Sequence, residues 1–547
     1  MKSIKEGISK YINPVILLLV MVIAGCLVNP VFYLNDDITM RSILSGAYIG
    51  TPDGHAVYMQ YPLTGLLALL YKLLPMIPWM EVFFAGCIWL CMVWVAGSFG
   101  KKWLGILLSL VAFLPFFLYM HYTLVAAIVA ATAIFLLGRG SFSWKALVLL
   151  WISYMIRSQI GLLCLPFVAA ACVWQYINND TENRLPLKQM AVFVGKLLIG
   201  IVVITGIHRG CYSDAGWQEY LQYNEVRTQL YDYTDFLSTD KYEKEYADYG
   251  MSYEEYQILF HYNTMLDKQL DVEKLQTVSA KVTEGMKAQN GLKQMVVNGM
   301  KKYYIQLRYH DFPYNYIWFG TFAFLGVCFL GQKKWLQLLY LGLLAVGRSS
   351  IWIYLLSQGR FPERVSISLY LLEWMLLLGI GFSGICMKKQ ALKNGFVCAS
   401  TVLMVLLGVF LGRDVCQKVE AQTEIQQEWN VLKNYSRSNE NTTYLIDVFS
   451  AVKYGDMLFS ADCDKIMMIG GWLSSSPLTN EKLTKLGGQD ASDVLYGRED
   501  VRLVVASDRE ATWISDYFVK RYPGSRLVKE TELSYDKGSF LIYRLER

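Results

Sequence analysis

The sequence predicts an α-helical polytopic membrane protein carrying a small C-terminal α/β domain. Three observations point there. Of its 547 residues, 54% are hydrophobic and 18% charged, where soluble domains sit near 45–50% apolar and about 25% charged. The apolar residues gather in runs of roughly 20, enough to cross a hydrocarbon core about 30 Å thick. Beyond residue 412 the runs stop, and short strand and helix patterns alternate.

About eleven spans are expected, at 12–33, 79–99, 104–120, 123–138, 146–157, 159–176, 191–207, 313–331, 335–356, 366–385 and 395–412. Lys and Arg favour the cytoplasmic side of short loops. The pairs Lys101/Lys102, Arg139/Lys145, Arg184/Lys188, Lys333/Lys334 and Lys388/Lys389 then lie inside with the N-terminus. That orientation requires 60–74, which holds "PLTGLLALLYKLL", to lie at the membrane surface or dip partway into it rather than span it. The N-terminal run is too long for a cleaved signal peptide.

Three segments then face outward in the 1–412 transmembrane domain and beyond it. These are the first loop, 33–78; a Tyr-, Glu- and Lys-rich loop, 208–312; and the domain 413–547. In the last, "VRLVVAS" and "SFLIYRL" read as strands and "REATWISDYFVKRYP" as a helix stopped by Pro523. The aromatics of the second loop could stack on sugars, but amphipathic helices covering a membrane cavity would look the same, and that is the preferred reading.

Composition excludes some classes. The net charge of +5 is not gathered into a nucleic-acid patch. No CxxC pair and no GxxxxGK[ST] loop is present. Most of the 11 cysteines sit in apolar runs as small hydrophobes.

Candidate functional residues converge on the outer face. Asp36 and Asp37 follow the first span directly. One Asp there would serve as a helix N-terminal residue; a second adds repulsion unless it is used, and carboxylates are common general bases. Arg157 lies about twelve residues into its segment, roughly 18 Å deep at 1.5 Å per residue, and Arg348 about 20 Å deep. Charges at such depth are functional candidates by default; the structural alternative is an ion pair, with Glu373 as a partner. The loop "SQGRFPERVS" supplies Arg360, Glu363 and Arg364, whose guanidinium forks suit phosphate, or else lipid headgroups. His55 and His121 also lie outside, His121 reading as a packed or capping residue or a ligand. Tyr58 and Tyr61 are interface anchors or substrate contacts.

In layout the chain resembles the GT-C superfamily of membrane glycosyltransferases, such as the protein mannosyltransferases and the aminoarabinose transferase of lipid A. The resemblance rests on "NDD" at Asn35–Asp37 after the first span, the surface helix and Gly/Pro loop "GTPDGHAVYMQYP" that follow, the second surface helix "LTGLLALLYKLL", and "GRFPERV" before a late span. It covers most of 1–412. It implies a bacterial plasma-membrane enzyme with a cytoplasmic N-terminus, acting in the cell envelope. The donor would be a polyprenyl-phosphate-linked sugar and the acceptor an envelope glycan, lipid or protein. Asp36, with Asp37 in support, would be the base; Arg364, Arg360, Arg348 and Arg157 would hold the lipid phosphate; His55, Tyr58, Tyr61, His121 and Glu363 would be substrate contacts. Many relatives carry an acidic residue where this chain has "MHYT", so no metal is assigned and a divalent cation is left open. Two other readings stand beside this one. A transporter of lipid-linked sugars would be expected to show paired repeats, and none is found. A non-catalytic scaffold would leave the intramembrane arginines only structural roles.

Overall fold

The computed structural model describes residues 2–99, 101–178, 187–233, 247, 250–289, 291–384, 390–460, 465–509 and 511–547. Arg184, Lys388 and Lys389 of the charge pairs above, and part of the Tyr-rich stretch 242–257, lie outside them. Each of the eleven apolar segments is wholly or largely helical. Six described helices are long and apolar enough to cross a membrane: Trp79–Gly97, Ser158–Asn178, Leu187–Cys211, Tyr314–Gly331, Trp335–Ser357 and Glu363–Ser383. Asn13–Val28, Lys102–Leu118, Tyr122–Gly138 and Trp144–Ile156 are apolar but shorter.

The bundle is organised around Tyr122–Gly138, all of whose residues are buried. Its alanine-rich middle, "AAIVAATA", lets neighbouring helices close in. Glu363–Gly384 packs along it, and the two backbones meet at Gly138 and Gly379. A Cβ on Gly379 would stand 2.7 Å from the Phe135 carbonyl oxygen. By contrast Leu187–Cys211 and Trp335–Ser357 turn most of their apolar surface outward, as helices facing lipid do.

The segment 60–74 is a helix, Tyr61–Leu73. Its 13 residues reach only about 20 Å, short of a bilayer core. The helix after the first span is Asn35–Ser45, and both aspartates lie in its first turn. Just before it, strand β1 (Val31–Phe32) pairs in parallel with β2 (Tyr119–Met120).

The C-terminal part holds a five-stranded mixed sheet of β3 (Thr443–Ile446), β4 (Ile466–Met468), β5 (Val501–Ala506), β6 (Arg526–Tyr535) and β7 (Gly538–Glu546), ordered β4-β3-β5-β7-β6. The strands at 501 and 539 and the helix Thr512–Arg521 match the sequence patterns. β3, β4 and β6 were not legible there. The boundary drawn at 412/413 falls inside one continuous helix, Gln390–Ser438, of 49 residues. That helix is about 70 Å long, so it leaves the bundle and reaches the sheet, where Leu432 packs on Tyr444 and Ile446. The sheet also shares a core with the second loop: Tyr223, Leu230, Tyr256 and Leu266 pack with Leu445, Leu503 and Phe518. Described parts of 208–312 and of the C-terminal part thus pack together in one layer.

Candidate active site

Between that layer and the bundle lies a cavity of about 1470 Å³. Among the described residues its charged lining is six basic side chains (Arg157, Arg227, Lys301, Lys302, Arg360, Arg364) and three acidic ones (Asp36, Glu225, Asp232). Tyr58, Tyr122, Tyr262 and Trp472 supply aromatic wall.

Asp36 is half-buried and opens on this cavity. Burial raises its pKa above the ordinary carboxylate value, and Arg364, Arg157, Arg227 and Arg360, in that order, pull it back down. It is thus a carboxylate in a confined site, kept ionisable by cations.

Asp37 points elsewhere. It is fully buried and absent from the cavity lining. Its Oδ1 accepts the Tyr122 backbone N–H at 2.9 Å, and its Oδ2 stands 3.7 Å from His121 Nε2. His121 caps the central helix: its Nδ1 accepts the Thr123 N–H at 3.0 Å, which puts the ring proton of the neutral form on Nε2, toward Asp37. Burial, with the neighbouring Asp36 charge, pushes Asp37 well up, opposed by the Tyr122 N–H. Burial and the Arg364 and Arg157 charges push His121 well down. Both side chains are fully buried and outside the cavity lining, so His121 is a packed cap and Asp37 a buried anchor.

Arg157 breaks the chain between helices Trp144–Ile156 and Ser158–Leu163, in extended conformation. Its guanidinium lies over Tyr58 and Tyr122 at 5.2 and 5.3 Å. Among the described residues, neither Arg157 nor Arg364 has a carboxylate within ion-pair distance. Arg360 pairs with Asp232 at the cavity rim.

Other residues singled out in the sequence do not reach the cavity. Arg348 is the main correction: its Nε meets Glu373 Oε2 at 2.7 Å, it donates to the Tyr303 hydroxyl at 2.7 Å, and it is enclosed by Trp318 and Trp352. The ion pair with Glu373 weighed as the structural alternative is present. Glu363 receives Lys418 at 2.8 Å. His55 is fixed by Asp53 at 2.7 Å and stacked on Trp217 at 4.5 Å. Tyr61 packs on that His55 ring, and its N–H donates to His208. His55, Tyr61 and Glu363 are absent from the cavity lining, and Tyr58 alone of these contacts belongs to it.

Arg227 was not singled out in the sequence. It is buried, donates to Asn224 at 2.8 Å, and meets the Tyr262 hydroxyl. A signal was present: on helix Ala215–Tyr233 the buried positions are Trp217, Tyr220, Tyr223, Arg227 and Leu230, a helical stripe in which an arginine interrupts apolar residues.

A second, smaller cavity of about 130 Å³ lies behind the acidic helix. It shares Asn35, Thr39, Met468, Gly470 and Leu473 with the main one. Among the described residues, no group of three or more His, Cys, Asp or Glu is placed to hold a metal ion, so none is assigned to a divalent cation.

No protein-family model, no curated protein and no solved structure matches this chain.

Proposed function

We propose that the protein is a membrane glycosyltransferase of GT-C type. It moves a sugar from a polyprenyl phosphate to an acceptor hydroxyl at the outer face of the plasma membrane, with about eleven spans and a cytoplasmic N-terminus. The observation that carries this reading is a half-buried carboxylate, Asp36, on the wall of a large cavity whose described lining also holds four arginines, all four of which act on its charge.

In this mechanism Asp36 takes the proton of the acceptor hydroxyl. The acceptor oxygen attacks the anomeric carbon, and the carbon–oxygen bond to phosphate breaks. The phosphate departs with the bonding electrons, and cations placed where that charge develops lower the barrier. Arg364 and Arg157, with no carboxylate at ion-pair distance among the described residues, are suited to that task together with Arg227 and Arg360. Arg348 is engaged by Glu373 and has no part in it.

The test uses membranes holding wild type or Asp36→Asn, given a panel of radiolabelled polyprenyl-phosphate sugars. Release of label by the wild type is expected to fall 100-fold or more in Asp36→Asn, the scale of a lost general base. Equal release by the two proteins, or none from any donor, refutes the reading; transbilayer movement of intact donor would then favour a transporter.

A further inference from the structure

We propose that the C-terminal domain is a working part of this site: through Asp456, segment 455–458 positions the helix that carries Asp36. The inference rests on reading Asp36 as the base, but its physical claim can be tested apart from that reading.

The helix Asn35–Ser45 cannot hold its own position. It has 11 residues and no side-chain cap at Leu34, and helices below about 12–15 residues are marginal in isolation. Its placement must come from what it touches.

Segment 455–458 supplies contacts before and after the aspartates. Before them, the Phe32 N–H donates to the Asp456 carbonyl and the Leu458 N–H donates to the Pro30 carbonyl, both at 2.9 Å. Val31 and Met457 form an antiparallel bridge. β1 is thus held between the His121 side of the bundle and the C-terminal part. Close approach is needed here: a Cβ on Gly455 would stand 3.0 Å from the Phe32 carbonyl oxygen and 2.4 Å from Gln422 Nε2.

After the aspartates, Arg41 donates to Asp456 Oδ2 at 2.8 Å and to Glu81 Oε1 at 3.3 Å. Asp456 Oδ1 also receives Lys433 at 3.2 Å and Gln426 at 3.1 Å. Arg41, Glu81, Lys433 and Asp456 are all buried, so two cations balance two carboxylates away from solvent, where salt screens little. The network joins the acidic helix to the helix Trp79–Gly97, to the long helix Gln390–Ser438, and to the sheet part. A displacement of about 1 Å in a reacting group can cost on the order of 100-fold in rate. Asp456 and Arg41 lie outside the lining of the main cavity on which Asp36 opens, and are therefore positioning residues.

The test is hydrogen exchange and donor turnover on the full chain in detergent, for wild type, Asp456→Asn and the gentler Arg41→Lys. Asp456→Asn should speed amide exchange across residues 36–45 by tenfold or more and leave 122–138 unchanged. It should lower kcat tenfold or more with KM for donor unchanged; Arg41→Lys should fall between it and wild type. Unchanged exchange at 36–45 overturns the proposal. So does faster exchange throughout the bundle with kcat and KM shifting together, which marks a general stability effect. Should Asp456→Asn not fold, Arg41→Lys decides by the same criteria. If the wild type turns over no donor, the glycosyltransferase reading fails while exchange at 36–45 still decides the positioning claim.

Discussion

Replacing Glu373 by leucine separates a structural Arg348 from one that binds donor. The two side chains are each 4% exposed and meet at 2.7 Å. Removing one member of a buried ion pair costs about 3–5 kcal/mol, because the other charge stays buried. Glu373 also accepts the Trp352 indole N–H at 2.7 Å, and a buried donor left unmatched costs about 1–3 kcal/mol. Against this, Arg348 keeps the Tyr303 hydroxyl and the faces of Trp318 and Trp352 at 4.2 and 4.8 Å, each such contact being worth about 0.5–2 kcal/mol. The net expectation for Glu373→Leu is a loss of about 3 kcal/mol, more than 100-fold in the folding equilibrium. The double variant Arg348→Met/Glu373→Leu removes both charges and should return to within about 1 kcal/mol of wild type. Equilibrium unfolding of the purified chain in detergent, followed by circular dichroism, measures both. A Glu373→Leu variant within about 0.5 kcal/mol of wild type, or a double variant no better than the single, refutes the structural assignment.

Two further outcomes follow from the acidic pair. Because burial raises the Asp36 pKa above its ordinary 3.8 and the base acts only when deprotonated, label release should rise with pH through a value above 3.8; Arg364→Gln, removing the largest opposing cation, should move that limb higher still in a kcat/KM profile. Asp37→Asn keeps an acceptor for the Tyr122 N–H at a position outside the cavity lining, so release should stay within about threefold of wild type, whereas Asp37→Ala should lose about 1–3 kcal/mol of stability; a 100-fold loss of release in Asp37→Asn would give Asp37 a direct role.

The sequence by itself determined where helices form, because an apolar run in lipid has few other ways to satisfy its backbone. It also marked Asp36, Arg157, Arg360 and Arg364, since a charge beside or within an apolar run stands out locally. Tertiary structure decided what each charge does. Arg157 and Arg348 are both followed by serine at similar expected depth, yet Arg348 found Glu373 while Arg157 faces the cavity. Asp36 and Asp37 are neighbours, but adjacent residues on a helix point about 100° apart, and packing sent one to the cavity and the other to His121. Arg41 and Asp456 are 415 residues apart; their pairing is a product of the folded chain, and no local pattern of polarity encodes it.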